Sequence, residues 1–367
     1  MKVIQIISTL ETGGAEKLIL ESIPRYVEAG IEMDLLVLWN NNSPFLNTLR
    51  SLNCCNIYIL NESNNRSAIY ALSNILKIRQ HLRRYDLAHV HLFPPIYFVA
   101  LANILNGKKI PLLFTEHSTT NSRIEKPYFK QLERFMYNQY NLVAYLTEEM
   151  RTIYENYLGK MPAKVIINNG VDIDSYLSAQ PLSWKEILPG HSDSDKIIVQ
   201  ISAFRKEKDH KTVVDALDHL NSNYKVVFVG AGETQGNVKN YVAKKGYQER
   251  VYFLGQRLDV PKILKAADFI VLSSFYEGLS LSSIEGMASG KPFFATNVKG
   301  LSKIVEGAGV LFELENAKDL ASKILVLAQD SKRYLETGNK GQVRAKEYGI
   351  SKMINAYIEA YKSLVKE

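Results

Sequence analysis

A chain of 367 residues is longer than one ordinary hydrophobic core organises, so two domains are expected. Its 46% apolar and 23% charged content is that of a globular protein, and no run reaches the ~18 apolar residues of a membrane-spanning helix. The net charge of +7 is spread over the chain: 18 Lys+Arg face 16 Asp+Glu in residues 1–178, leaving 27 against 22 for the rest, which suits anionic ligands or an anionic membrane surface and excludes a nucleic-acid footprint.

The apolar stretch after Met1 is too short and too interrupted for a signal peptide, so a cytoplasmic protein is expected. Cys54 and Cys55 are adjacent, which gives neither a disulfide framework nor the spacing of a zinc site.

Strand-like and helix-like segments alternate, the pattern of a parallel α/β architecture. In the first half, apolar runs predict strands near 2–8, 32–39, 56–60, 87–92, 111–116, 142–147 and 164–168. Helical spacing fills 15–29, 67–84 and 127–140. From Ser175 to Lys196 apolar periodicity is weak, and Pro181, Pro189, Gly190 and a polar run read as a linker. Strands follow near 196–203, 224–229, 251–254, 268–273 and 292–296, with helices near 211–221, 237–246, 260–266, 283–289 and 317–329. From Ser351 onward, Met353, Ile354, Tyr357, Ile358, Tyr361, Leu364 and Val365 share one helix face.

The densest chemistry lies in Ser274-Phe-Tyr-Glu277-Gly278-Leu279-Ser280-Leu-Ser-Ser-Ile-Glu285. Glu277 ends a buried strand, and Glu285 enters the next helix. The helix start between them carries free backbone N–H groups, a seat for phosphate, and flanking carboxylates bind sugar or ribose hydroxyls. A nucleotide sugar fits that combination. A surface loop followed by an ordinary helix with stray acids is the bland alternative.

Other strand ends carry further candidates. Gly13-Gly14 opens a helix after the first strand, as a ligand seat or simply as a tight turn. Phe114-Thr-Glu-His117-Ser ends another strand, where open α/β sheets bind ligands. His89 and His91 also end a strand, without a third metal ligand in view, and are read as packing residues. Arg205 and Lys208 are three apart in a turn and can converge on a diphosphate. The run Val227 to Glu233 ends in a Gly-rich turn at Gly230 and Gly232, an incomplete dinucleotide fingerprint because position 235 is Gln. Asp172-Ile-Asp174 spells a metal-binding pattern but sits in a turn, and no metal is assigned to it. The stretch Arg123 to Tyr137 mixes Lys126, Lys130 and Arg134 with Tyr128, Phe129 and Phe135, which suits either a solvated helix or a membrane surface.

In this order, the motifs resemble those of family 4 retaining glycosyltransferases of bacterial surface-polysaccharide type, over nearly the whole chain. The resemblance implies the GT-B fold: two Rossmann-like domains facing across a cleft, with the last helix crossing back to the first. Residues 1–178 plus 351–367 would form the acceptor-binding domain and 179–350 the nucleotide-sugar-binding domain. It implies catalytic roles for His117, Arg205, Lys208 and Glu277, with His117 meeting the donor sugar. It assigns Gly14, Gly232, Arg257, Gly278, Leu279, Ser280 and Glu285 to the nucleotide sugar, Glu285 holding the ribose. The usual family Arg, five residues before the Lys, is here Ala203, which leaves Arg205 and Lys206 as its replacements. The expected reaction passes a sugar from a UDP-sugar, or a GDP-sugar, to a glycan or lipid-linked acceptor, with retention and without metal or cofactor. Three readings compete: a GT-B sugar-nucleotide epimerase, a nicotinamide oxidoreductase, which needs the missing glycine, and a non-catalytic carbohydrate-binding protein.

Overall fold

The computed structural model describes residues 1–11, 13–40, 43–118, 123, 126–159 and 162–366. The chain divides into two compact units, Met1–Gly170 with Ile350–Glu367, and Val171–Gly349.

The first unit is built on seven strands: β1 (Lys2–Ile7), β2 (Glu32–Val37), β3 (Ile57–Ile59), β4 (Leu87–His91), β5 (Leu112–Glu116), β6 (Leu142–Tyr145) and β7 (Ala163–Ile166). All pair in parallel, in the order β3-β2-β1-β4-β5-β6-β7. The inner strands β1, β4, β5 and β6 are buried almost throughout, which is why they read as continuous apolar runs. The final helix, Ile350–Lys366, belongs to this unit, as the family resemblance implies, and buries its apolar face there. Met353, Ile354, Tyr357, Ile358 and Tyr361 share a core with Leu18, Ile19, Ile23 and Tyr26 of the helix Gly14–Glu28. Each such buried side chain contributes about 1.5–3 kcal/mol of transfer free energy, enough to hold a segment this far along the chain in the first unit.

The second unit holds six strands: β8 (Lys196–Ile201), β9 (Tyr224–Val229), β10 (Val251–Phe253), β11 (Phe269–Leu272), β12 (Phe293–Thr296) and β13 (Val310–Phe312). Their order is β10-β9-β8-β11-β12-β13, again parallel. The segment expected to be a linker is instead part of this unit. The chain enters the unit at Val171, forms the helix Ile173–Ser178, and anchors itself through buried Trp184, whose indole N–H donates to the Ala266 carbonyl at 2.8 Å. One aromatic anchor leaves no periodic trace in the sequence.

The expected helix over 67–84 is also interrupted. A 3-10 turn, Arg66–Tyr70, precedes a helix at Ser73–Leu82. Buried Asn74 donates to the carbonyls of Ala68 and Ile69, at 3.0 and 3.2 Å, and ties the turn to the helix that follows. Residues 124–125 of the basic-aromatic stretch lie outside the described residues. The rest of that stretch forms a 3-10 turn at Pro127–Phe129 and a helix at Lys130–Tyr137. No helix among the described residues is long and apolar enough to cross a membrane.

Candidate active site

In an open parallel sheet, ligands bind beyond the strands' carboxyl ends where the strand order reverses. The second unit reverses between β8 and β11, and the first between β1 and β4. Arg205, Lys208, Glu277 and Gly278–Ser280 lie at the first of these places and Gly14 at the second, while Gly232, Arg257 and His117 follow the flanking strands β9, β10 and β5.

In the second unit, the loop after β8 and the loop after β11 are stitched together. Lys208 and Ser274 form an antiparallel bridge. Asp209 N–H donates to the Ser273 carbonyl at 3.0 Å, and Phe275 N–H to the Glu207 carbonyl at 2.9 Å. Below them lies a buried polar layer. Gln200 Oε1 accepts from Ser273 N–H at 3.1 Å, and the Thr296 hydroxyl donates to the Ser274 carbonyl at 2.8 Å. Asp209 caps the helix His210–Asp215 and also accepts from the Ser273 hydroxyl at 3.0 Å.

This stitching brings Lys208 to Glu277. The ammonium and the Ser274 hydroxyl both donate to Glu277 Oε1, the latter at 2.8 Å. The two charged side chains are only 18% and 12% exposed, so solvent screens the pair weakly. Arg205 and Lys206 project from the intervening turn, closed by Lys208 N–H donating to the Arg205 carbonyl at 3.1 Å. Both are exposed, and neither makes an ion pair among the described residues.

Beyond Glu277, Gly278 leads through buried Leu279 to Ser280, the N-cap of the helix Leu281–Ala288. The Ser280 side chain makes no capping bond to this helix. Glu285 is buried on the helix, one turn in. The Gly-rich turn after β9 lies directly against the β8 loop: a Cβ on Gly232 would come within 2.3 Å of the Phe204 carbonyl oxygen. Only glycine permits that approach. Arg257, after β10, is held two-pronged by Asp259, at 2.8 and 2.7 Å, so its guanidinium is already engaged.

One residue of this site carries no sequence signal near the motif. A Cβ on Gly300 (φ +84°) would lie 2.0 Å from the Glu277 carbonyl oxygen and 2.6 Å from that of Gly278. Gly300 therefore lets the chain after β12 support the peptide that carries Glu277. Its position more than twenty residues downstream hides it from motif reading.

In the first unit, Gly14 is the first residue of its helix, and Glu16 folds its carboxylate back over Gly13: a Cβ built there would meet Glu16 Oε2 at 2.3 Å. That carboxylate opposes a second anion at the same seat. At the switch point itself lies a pocket of about 450 Å³ lined by Ser8, Thr9, Glu16, Arg66, Tyr70 and Phe93, among others. Leu92, in its wall, has a φ of +62°, a left-handed conformation that costs a non-glycine residue energy. Tyr70 and Phe93 are partly exposed, with ring centroids 6.2 Å apart. Hydroxyls, one carboxylate, one guanidinium and aromatic faces are what a sugar ring needs.

His117 follows β5 and lies against His91, Nε2 to Nδ1, at 3.0 Å. His89 is bonded on both nitrogens, to the Tyr361 hydroxyl and to Thr115 Oγ1, each at 2.7 Å, which bears out a packing role for it. Loss of water around the cluster depresses all three imidazoles: His117 to about 4, His89 and His91 well below 6.5. All three are neutral at pH 7.

Two family models together span most of the chain. Residues 12–175 match the model of Glycosyltransferase Family 4, and residues 187–344 that of Glycosyl transferases group 1. The chain belongs to glycosyltransferase family 4. Among curated relatives, N-acetyl-alpha-D-glucosaminyl L-malate synthase of Bacillus anthracis is 27% identical, over 77% of this chain and 76% of its own. A UDP-Gal:alpha-D-GlcNAc-diphosphoundecaprenol alpha-1,3-galactosyltransferase of Escherichia coli is 25% identical, over 85% and 82%. Among solved structures, HepE of Anabaena in complex with UDP and glucose superposes with a TM-score of 0.85 at 20% identity, covering 99% of this chain and 100% of its own. The fold of this family 4 member is GT-B, and it is a glycosyltransferase.

Proposed function

We propose that this protein transfers a sugar from a UDP-sugar to the hydroxyl of a glycan or lipid-linked sugar in surface-polysaccharide assembly, with retention of configuration and without metal. The observation that carries the reading is the convergence of Lys208 and Glu277 beside the open helix start at Gly278–Ser280. The names of the relatives support the donor: one is a UDP-galactose enzyme acting on a diphosphoundecaprenol-linked sugar, and the HepE structure holds UDP.

In this reading the leaving diphosphate gains negative charge as the sugar departs. Lys208, Arg205 and the helix N–H groups stabilise that charge. Charge-assisted hydrogen bonds contribute about 1.5–3 kcal/mol each, or roughly one to two decades in rate when realised in the transition state. Glu277 orients the sugar, and Glu285 binds the ribose hydroxyls. His117, neutral at working pH, gives a sugar hydroxyl a hydrogen bond and does not shuttle protons. Retention without a separate nucleophile implies same-face attack, with the departing phosphate accepting the acceptor's proton.

The pocket beside Ser8, Tyr70 and Phe93 takes the acceptor sugar. Exposed Lys126, Tyr128, Lys130, Leu132, Arg134 and Phe135 form a basic, apolar face suited to an anionic bilayer in peripheral contact. The test is incubation with UDP-sugars in EDTA, following UDP release and product anomer by NMR. Transfer of the sugar to an added glycan or lipid-linked acceptor, with unchanged anomeric configuration in the new bond, supports the reading. Epimerised donor as the only product points to an epimerase instead, and a strict magnesium requirement contradicts metal independence.

A further inference from the structure

We propose that His91 is a positioning residue that fixes His117 as its Nδ1–H tautomer, so that His117 meets its sugar hydroxyl with the Nδ1 proton. The inference rests on the assignment of His117 to the site but is decided by the hydrogen-bond accounting around His91.

His91 Nδ1 and His117 Nε2 are 3.0 Å apart, a hydrogen bond in which one nitrogen donates and the other accepts. Both rings are neutral, so each carries one proton. Two arrangements are possible. In the first, His117 Nε2–H donates to His91 Nδ1. The His91 proton then sits on Nε2, which is buried and has no hydrogen-bond partner among the described residues. A buried N–H without an acceptor is the rarest and among the costliest defects in a folded protein. In the second, His91 Nδ1–H donates to His117 Nε2, and the orphaned His91 Nε2 carries only a lone pair. An unused acceptor costs less than an unused donor. The second arrangement wins, and it leaves the His117 proton on Nδ1.

The surroundings hold His91 in place. Its ring is 3% exposed and packs 4.1 Å, centroid to centroid, from His89. His89 is tied through Tyr361 and Thr115, and Thr115 Oγ1 lies 2.9 Å from the Tyr357 hydroxyl. Tyr357 and Tyr361 belong to the final helix, which therefore buttresses the histidine pair. A free imidazole favours the Nε2–H form, so a fixed Nδ1–H on His117 is a property imposed by this packing.

The experiment is long-range proton–nitrogen NMR on full-length protein labelled with nitrogen-15 histidine at pH 7, with His117 assigned from the signals lost in His117→Gln. The expected result is a protonated Nδ1 and a bare Nε2 on His117. In His91→Phe that signature moves to Nε2–H, and kcat falls about tenfold with little change in donor KM. In His91→Asn, whose side-chain amide donates from a similar place, the Nδ1–H signature returns and kcat recovers. A wild-type His117 protonated on Nε2 overturns the proposal, as does an unchanged His117 signal in a folded His91→Phe protein. The readout needs no substrate. Should His117→Ala retain full transfer, the placement of His117 in the site fails while the tautomer assignment stands.

Discussion

Lys208 and Glu277 are two weakly solvated charges that compensate each other across loops 69 positions apart. Replacing Lys208 by Ala strips the cation from a partly buried carboxylate and from the proposed diphosphate seat. The expected loss in kcat/KM for the UDP-sugar is about 10–100-fold, read from initial rates. Glu285→Ala is expected mainly to weaken UDP binding in calorimetry, and Arg205→Ala mainly to lower kcat. Unchanged UDP affinity in the first removes Glu285 from the ribose site, and full turnover in the second removes Arg205. Gly300→Ala drives a methyl into the Glu277 and Gly278 carbonyls, and is expected to cut activity as deeply as Lys208→Ala while UDP-independent folding, followed by circular dichroism, persists. Lys208, Glu277 and Glu285 were legible because their spacing lies within single strand-to-helix segments. Gly300, Thr296 and Gln200 were not, since each reaches the site only through pairing of distant strands. The orphan nitrogen of His91 was also invisible, because solvation of a single atom is set by every neighbour at once.

At the level of elements, buried parallel strands announced themselves as apolar runs, and twelve of the expected positions hold strands. β13 escaped because it spans only three residues, of which Phe312 alone is fully buried, too short a run to stand out beside the Gly-rich turn before it. The helix Ser331–Lys346 escaped for a different reason. Its buried residues are Gly338, Gly341 and Ala345, so its packing face is made of small side chains and shows no apolar stripe. A Cβ on Gly338 would lie 2.2 Å from the Gly290 carbonyl oxygen, so the glycine sets how closely this helix lies on the turn before β12. Alanine normally gains about 1 kcal/mol over glycine inside a helix. Here the collision is expected to win, and Gly338→Ala should lower the urea midpoint. A raised midpoint would show that the turn yields.

Across the whole molecule, the buried histidines link stability to pH. His89, His91, His117 and His210 are depressed by burial, the last two to about 4, against an ordinary value of 6.5. Above 6.5 both folded and unfolded chains hold them neutral. As pH falls below 6.5 the unfolded chain takes up protons that the folded chain refuses, so stability drops until the folded groups titrate near 4. Each contributes up to about 1.4 kcal/mol per pH unit in that window. Glu116, raised by burial, works in the opposite sense but is a single group. Thermal melts at pH 7 and pH 5 should show a clear fall in Tm, and replacing His210 by Phe, which keeps the aromatic ring stacked on Phe204, should reduce the pH dependence. A flat profile would contradict neutral burial of the cluster.

The proposed function requires the loops after β8 and β11 to seat a nucleoside diphosphate without metal. Calorimetric titration of the full-length protein with UDP, GDP, ADP and NAD, first in EDTA and then with magnesium, tests it most directly. UDP is expected to bind in EDTA, little changed by magnesium, and about tenfold or more weaker in Lys208→Ala. Binding of NAD in place of UDP, binding that appears only with magnesium, or UDP affinity untouched by loss of Lys208 would contradict it.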